Sequence, residues 1–405
     1  MRQTLAELMT SLGCERWPER WPEFYDEVMG DFDKNGCAFA DPATYDELNN
    51  KYKAFPKYLE IYKEAASAVA KDEPLARLLA LLCRASKDRD LICSDIKALD
   101  FPEGNGIGYD MLPGLANASG IEHCVNTLRS LGLPDELIFP TVALHENGLW
   151  ESMRRFGGKP LYMPKYFSWN QRMYDGRLYR LGRLEYELNC KFGARAMIFR
   201  NENGDCISLA HDLLLHRDGY ALGSLGYTDE EGSYTAYVDE TEEAYVGHPY
   251  DERGFVKSEK MTLKKSEWKL IVRKGDEVIG LHIPAGCPLD DESVTESLNM
   301  AKKFFAKYFP EHPQELFTCH SWLLDPRLIE IQGKEKNMSK FCARFTPLGG
   351  KSMCRDALYF AYVLPDAEVE IDYSTLPEDT SLLKKLKALY MSGGGIYETF
   401  GYFFY

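Results

Sequence analysis

The chain has 405 residues, 45% of them apolar, 27% charged and 13% aromatic, the make-up of a globular protein of two or three domains. Its 48 Lys and Arg stand against 63 Asp and Glu, a net charge of −15, which argues against a phosphate-tracking nucleic-acid binder and against docking on anionic lipid. Eleven cysteines without a single C-x-x-C spacing form neither a zinc ribbon nor a thioredoxin-type motif, and free thiols in this number fit a reducing cytoplasm.

From the N-terminus, MRQTLAELMTSLG carries Glu7 and no apolar core, so no secretory signal is expected. Trp17-Pro18 and Trp21-Pro22 each predict a helix start. Thr44 to Lys71 is rich in Ala, Leu, Lys and Glu, with a break or kink at Pro56. Leu75, Leu78, Leu79 and Leu82 fall at i, i+3, i+4 and i+7 behind Pro74, which predicts a buried helical stripe. LLALLC, Leu78 to Cys83, is typical of the longest apolar runs and too short for a bilayer, so no membrane association is expected and the location is cytoplasmic. Gly120 to Leu131 predicts a helix stopped by Gly132 and Pro134.

The pattern changes near Gly176, which divides the chain into a helical domain, residues 1–175, and a mixed domain, residues 176–405. Arg177 to Cys190 and the stretch around the turn at Asn203-Gly204 read as strands, as do Ser233 to Val238, Trp268 to Val272 and Val278 to Ile283. Asp290 to Phe309 predicts a helix whose face is Val294, Leu298, Ala301, Phe305 and Tyr308, with Asp290 as N-cap. LFTCHSW follows as a strand, and a helix-like piece begins at Asp325. Lys340 to Phe345 and Ala357 to Val363 read as extended, and Leu382 to Tyr390 as a last helix behind Thr380 and Ser381. The fold class is α+β.

Asp31, Asp33, Asn35 and Gly36 open like a calcium loop, but the twelfth position, where a bidentate Glu belongs, is Pro42, so a turn between helices is expected. Gly104, Gly106 and Gly108 lack the dinucleotide spacing and read as an interhelix turn. No H-E-x-x-H occurs, His211 and His216 stand five apart, and no metal is expected. Cys319 and His320 are adjacent on a strand, point to opposite faces, and cannot form a nucleophile–base pair with each other.

The informative stretch is Gly275 to Pro326, read as strand, Pro/Gly loop, helix, strand and second helix. Its loop, Pro284 to Pro288, delivers the chain to a helix N-terminus, an end suited to an anion and equally to an ordinary capped turn. His282, Pro284, Pro288, Leu289, Ser297, Leu298, Phe304, Phe305, Phe309, Pro310, Cys319, Ser321, Trp322, Leu324, Asp325, Pro326, Phe341 and Phe345 stand in an order that closely resembles the GNAT-like N-acyltransferase family with a helical N-terminal domain. Leu181 to Glu185 and Leu376 to Leu382 resemble the flanking segments of that family, so the likeness covers most of Arg177 to Tyr405.

The resemblance implies a helical N-terminal domain followed by a GNAT-like mixed α/β acyltransferase domain with a splayed central sheet. The splayed strands would be Val278 to Ile283 and Phe317 to Trp322, with the pantetheine arm of an acyl-CoA or acyl-carrier donor between them. Leu281, Ile283, Pro284, Ala285, Gly286 and Cys287 would line the donor, a backbone N–H near Leu281 to Ile283 would polarise the thioester carbonyl, and an amine would attack directly. His282 is a candidate general base and Glu185 a second, with Glu187 on the same strand face as Glu185. The family's usual tyrosine acid has no counterpart between Ser321 and Ile331, which leaves Ser321 or Cys319 as substitutes. Only Gly286 remains of the family's pyrophosphate motif, and Asp290, Asp291 and Glu292 crowd the helix start, which disfavours tight coenzyme A binding and leaves a carrier-protein donor, held mainly through pantetheine, open beside acyl-CoA. The acceptor would be a small-molecule or peptide amine. Two other classes stay open: a thioester- or peptide-binding module without turnover, and a cysteine hydrolase acting through Cys319. Asp229 to Glu252 holds nine acidic residues, no Lys or Arg, and Tyr234, Tyr237, Tyr245 and Tyr250, either a solvated surface or a rim for cationic amines.

Overall fold

The computed structural model describes residues 3–223, 227–312, 315–349, 355–366, 369–396 and 398–405. The chain forms two compact units, Met1–Tyr179 and Arg180–Tyr405.

The first unit is helical. Its central helix, Glu73–Ala85, starts on Asp72, whose carboxylate accepts the Leu75 N–H, and buries Leu75, Leu78, Leu79 and Leu82 as the spacing predicts. The helices Pro22–Asn35, Leu59–Ala70 and Ile107–Ala118 pack against it. The carboxylate of Asp95, almost fully buried, takes the guanidinium of Arg20 at 2.5 Å and the indole N–H of Trp21 at 3.2 Å. Asp31, Asp33 and Asn35 are the last turn of the helix Pro22–Asn35, so the calcium-like spacing is helix rather than an interhelix turn. Asn35 bonds Asp31 one turn back, and Gly36 ends the helix with a φ of 70°.

The second unit is built on a six-stranded sheet. In chain order we number β1 (Leu178–Leu181), β2 (Leu184–Lys191), β3 (Ala196–Asn201), β4 (Cys206–Ala210), β5 (Trp268–Arg273), β6 (Glu277–His282), β7 (Leu316–Ser321), β8 (Thr346–Leu348) and β9 (Thr399–Phe404). The main sheet runs β1-β2-β6-β7-β9-β8, and β5-β3-β4 form a second sheet. All neighbours for which a register is defined are antiparallel except β6 and β7, which are parallel and joined by the helix Asp291–Tyr308. A crossover of this kind is what two parallel neighbours require.

One face of the main sheet packs on that helix, where Tyr186 meets Phe305 with ring centroids 6.1 Å apart. Ser297, fully buried on the helix, fixes it to the β1–β2 turn. Its hydroxyl donates to the Leu181 carbonyl at 2.5 Å and accepts the Leu184 N–H at 3.1 Å and the Tyr186 O–H at 2.9 Å. Those three bonds fill the hydroxyl's capacity. The opposite face packs on the second sheet through Ala196, Ile198, Val272, Leu316 and Tyr402.

Two segments depart from the sequence reading. Asn337–Cys342 and Arg355–Ala361 are helices where extended chain is expected. Short apolar runs carry no decisive period, and tertiary packing chooses. Phe341 meets Phe345, just beyond the helix, with ring centroids 5.2 Å apart and planes tilted by 53°, and Ala357, Leu358 and Tyr362 enter a cluster with Trp322, Leu386 and Tyr390. The closing strand β9, not expected from the sequence, lies inside the sheet between β7 and β8.

Candidate active site

The parallel pair β6 and β7 shares only the register positions Ile279 with Phe317 and Gly280 with Thr318. Beyond them each strand follows its outer neighbour. Leu281 and His282 stay paired with Tyr186 and Glu185 of β2, whereas Cys319, His320 and Ser321 stay paired with Gly401, Phe400 and Thr399 of β9. The sheet therefore parts between the two strands, and the backbone along the parting is turned toward a gap instead of a neighbour.

Side chains alternate across a sheet. Tyr186 faces the helix Asp291–Tyr308, so Glu185, Glu187, Gly280 and His282 share the other face, with Thr318 and His320 in step on β7. A shift of register between Val278 and Gly280 sits opposite Asn189, whose φ is 55°. The carboxylate that reaches the imidazole is Glu187, with Oε2 2.9 Å from His282 Nε2. Gly280 is the cross-strand partner of Glu187, beside Cys190. A Cβ there would stand 3.0 Å from the Cys190 sulfur and 3.6 Å from the Glu187 Cβ. The Glu187 side chain is 8% exposed and the His282 side chain 26%, so the pair has a buried end and an open end.

Glu185 is the cross-strand partner of His282, but its carboxylate takes Arg180 at 3.3 Å. Burial raises the Glu185 carboxyl above its ordinary range, and the charges of Arg180 and His282 oppose that rise. Cys319 is buried, and burial drives its thiol far above the usual range, which leaves no thiolate for a hydrolase at neutral pH. The hydroxyl of Ser321 accepts the Leu323 N–H at 3.2 Å and caps the short turn Trp322–Leu324. His282 alone of the four candidate catalytic residues both opens toward solvent and holds a carboxylate partner of orienting geometry.

Leu281 is buried, while Ile283 and Pro284 are half-buried and Ala285, Gly286 and Cys287 are exposed. The loop they begin is braced from inside by Arg183. Its guanidinium donates to the carbonyls of Pro284 at 2.9 Å, Cys287 at 2.8 Å and Pro288 at 2.6 Å. Gly286 has a φ of 90°, a conformation that favours glycine. At the helix start, the Asp290 carboxylate accepts the Ser293 N–H, which holds that acid below its ordinary range, and Asp291 pairs with Arg344. The helix end is thus already occupied by its own acid.

Arg183 and a third group were missed by the sequence reading, and Glu187 was placed on the face of Glu185 without a role of its own. His320 lies 3.5 Å from Glu398, which in turn bonds the Asp356 carboxyl. Alternation along β2 marked Glu187, but no local signal could rank it above Glu185. The acidic segment is partly neutralised by later residues, with Asp239 on Lys260 at 2.9 Å and Glu240 on Lys265 at 2.7 Å, and Tyr245 is buried. Cys354 lies outside the described residues, and the other ten cysteines are free thiols. Among the described residues no group of three or more His, Cys, Asp or Glu could hold a metal ion, and no helix is long and apolar enough to cross a membrane.

Residues 178–403 match the model of the family described as the GNAT-like C-terminal domain. Similar solved structures include an acyltransferase in complex with decanoyl-CoA, with a TM-score of 0.59, 17% identity and 98% of each chain covered. An acyltransferase in complex with decanoyl-CoA and teicoplanin, and an acyltransferase mutant in complex with octanoyl-CoA, each align with a TM-score of 0.58, 18% identity and the same coverage. No curated protein matches the sequence.

Proposed function

The chain belongs to the family with a GNAT-like C-terminal domain, and from that premise we propose that it is an N-acyltransferase carrying an acyl group from an acyl thioester to an amine. The observation that carries the reading is the parting of β6 from β7 with an oriented His–Glu pair at its mouth. The pantetheine arm of the donor would lie in the gap and bond the backbone left open there. An N–H between Leu281 and Ile283 would polarise the thioester carbonyl and stabilise the oxyanion as the amine adds. His282 would take the amine proton, and Glu187 would hold its ring and offset the charge that forms. Attack is direct in this reading, because Cys319, the candidate nucleophile on β7, is buried and burial keeps its thiol protonated.

Leu281, Ile283, Pro284, Ala285, Gly286 and Cys287 form the donor wall in this reading. With three carbonyls drawn onto Arg183, the loop offers a ligand its N–H side. Asp290 already fills the helix end, so the donor is anchored by pantetheine more than by pyrophosphate, whether it is acyl-CoA or an acylated carrier protein. The similar solved structures hold decanoyl- and octanoyl-CoA, and one holds teicoplanin, which favours a medium-chain acyl group and a peptide or small-molecule amine.

Calorimetry with decanoyl-CoA, CoA and acylated carrier protein tests donor binding, and thiol release with a panel of amines tests transfer. Donor binding without amine-dependent thiol release would mark a binding module instead. Failure to bind any thioester removes both readings.

A further inference from the structure

The gap has two sides, and β7 carries its own histidine. His320 stands two residues beyond Thr318, as His282 stands two beyond Gly280, and those two positions are register partners. The two imidazoles therefore occupy equivalent places on the same sheet face, one on each side of the parting. Each has a carboxylate: Glu187 for His282 at 2.9 Å and Glu398 for His320 at 3.5 Å.

The two pairs differ in what backs them. Glu398, whose side chain is 18% exposed, bonds a second carboxyl, Asp356. A neighbouring carboxyl disfavours ionisation of its partner, so two such groups side by side hold on to a proton. Burial and Asp356 push the Glu398 carboxyl up to about 7, and burial lowers His320, so the protonated acid beside a neutral imidazole is well populated up to about pH 7. The ring of His320 also lies 5.5 Å from Phe400, its cross-strand partner, and its side chain is half exposed.

We propose that His320 is the proton donor to the departing thiolate, with Glu398 and Asp356 as the acid that supplies it, so that histidines on the two parted strands serve as base and acid. This rests on the acyl-transfer reading. When the amine has added and its proton has passed to His282, the C–N bond is made and the C–S bond breaks with its electron pair on sulfur. The sulfur takes the Nε2 proton of His320 while Nδ1 takes the Glu398 proton. The products are an amide and a thiol, with an imidazolium at His282, a carboxylate at Glu398 and the His320 proton on Nδ1; His282 then gives its proton to solvent, Nδ1 returns its proton to Glu398, and Nε2 regains one from solvent. The role is one for which Ser321 and Cys319, the first committed to a cap and the second buried, are poorly placed.

The experiment compares wild type, His320→Gln, Glu398→Gln and His282→Gln in thiol release to hydroxylamine from decanoyl thioesters of thiols of graded acidity, beginning with decanoyl-CoA. His320→Gln should slow release from decanoyl-CoA by roughly 10²-fold or more. The loss should shrink steadily as the leaving thiol becomes more acidic, because an acidic thiol departs without a proton. Glu398→Gln, a positioning and supplying residue, should show the same trend with a smaller loss, and His282→Gln should lose rate evenly across the series. Unchanged decanoyl-CoA binding and circular dichroism show that the variants fold. An active wild type with a His320→Gln variant that keeps its rate, or loses it evenly across the series, overturns the assignment and leaves acyl transfer standing. A wild type that releases no thiol from any thioester removes the acyl-transfer reading itself.

Discussion

Glu187→Gln tests which of two carboxylates on one strand face serves His282. The substitution keeps the shape and one hydrogen bond but removes the charge that would balance an imidazolium as the amine loses its proton. At 2.9 Å the pair is in direct contact, and the Glu187 side chain is only 8% exposed, so water replaces little of the lost interaction. Coulomb's law at an effective dielectric of about 20 gives an upper bound of about 6 kcal/mol at this distance. Hydrogen bonds to charged groups contribute about 1.5–3 kcal/mol net. About 2–3 kcal/mol of the barrier corresponds to a roughly 30- to 150-fold loss of kcat. Glu185→Gln should cost at least about tenfold less, because that carboxylate is spent on Arg180 at 3.3 Å. The assay is amine-dependent thiol release from decanoyl-CoA, with donor affinity measured by calorimetry to separate binding from chemistry. Full activity of Glu187→Gln, or a larger loss in Glu185→Gln, would refute the pairing as the working one.

Ser297→Ala should lower stability by about 2–3 kcal/mol, because the Leu184 N–H and Leu181 carbonyl lose a buried partner, and urea unfolding measures it. In the helical unit, His145 is fully buried between Phe55 and Tyr62, and burial lowers it from 6.5 to about 3. Its contribution is complete above pH 6.5 and is lost on acidification toward pH 3, at about 1.4 kcal/mol per pH unit. The adjacent Glu146, raised by burial to about 7, acts oppositely, with stability present below pH 4.5 and lost as pH rises to 7. Between pH 7 and 4.5 the two effects, each about 3 kcal/mol, nearly cancel in wild type. Protection of this unit from hydrogen exchange should then strengthen on acidification in His145→Phe and weaken in Glu146→Gln, and identical pH responses would refute the assignment. Cys319 should resist alkylation in the native protein while the exposed Cys287 reacts, and Cys319→Ser should keep transfer activity. Rapid modification of Cys319 with loss of activity would restore the hydrolase reading.

Much of the molecule is written in local signals. The period of Leu75 to Leu82, the stop at Gly132, the turn at Asn203-Gly204 and the cap at Asp290 each depend on residues within one or two turns, and the structure places a helix or hairpin at each. The ordered residues from His282 to Phe345, which resemble the GNAT-like family, run from the end of β6 through the helix Asp291–Tyr308 and β7 to the helix Asn337–Cys342. Local chemistry does not fix partners across the chain. His282 and Glu187 are 95 residues apart, and they meet only because β2 and β6 pair, with a register shift opposite Asn189. Arg183 finds its three carbonyls about a hundred residues on, and His320 finds Glu398 only because β9 enters the sheet beside β7. The parting of β6 from β7 has no residue signature at all. It follows from each strand keeping its outer partner, a competition among hydrogen-bonded ladders that exists only once the sheet is assembled.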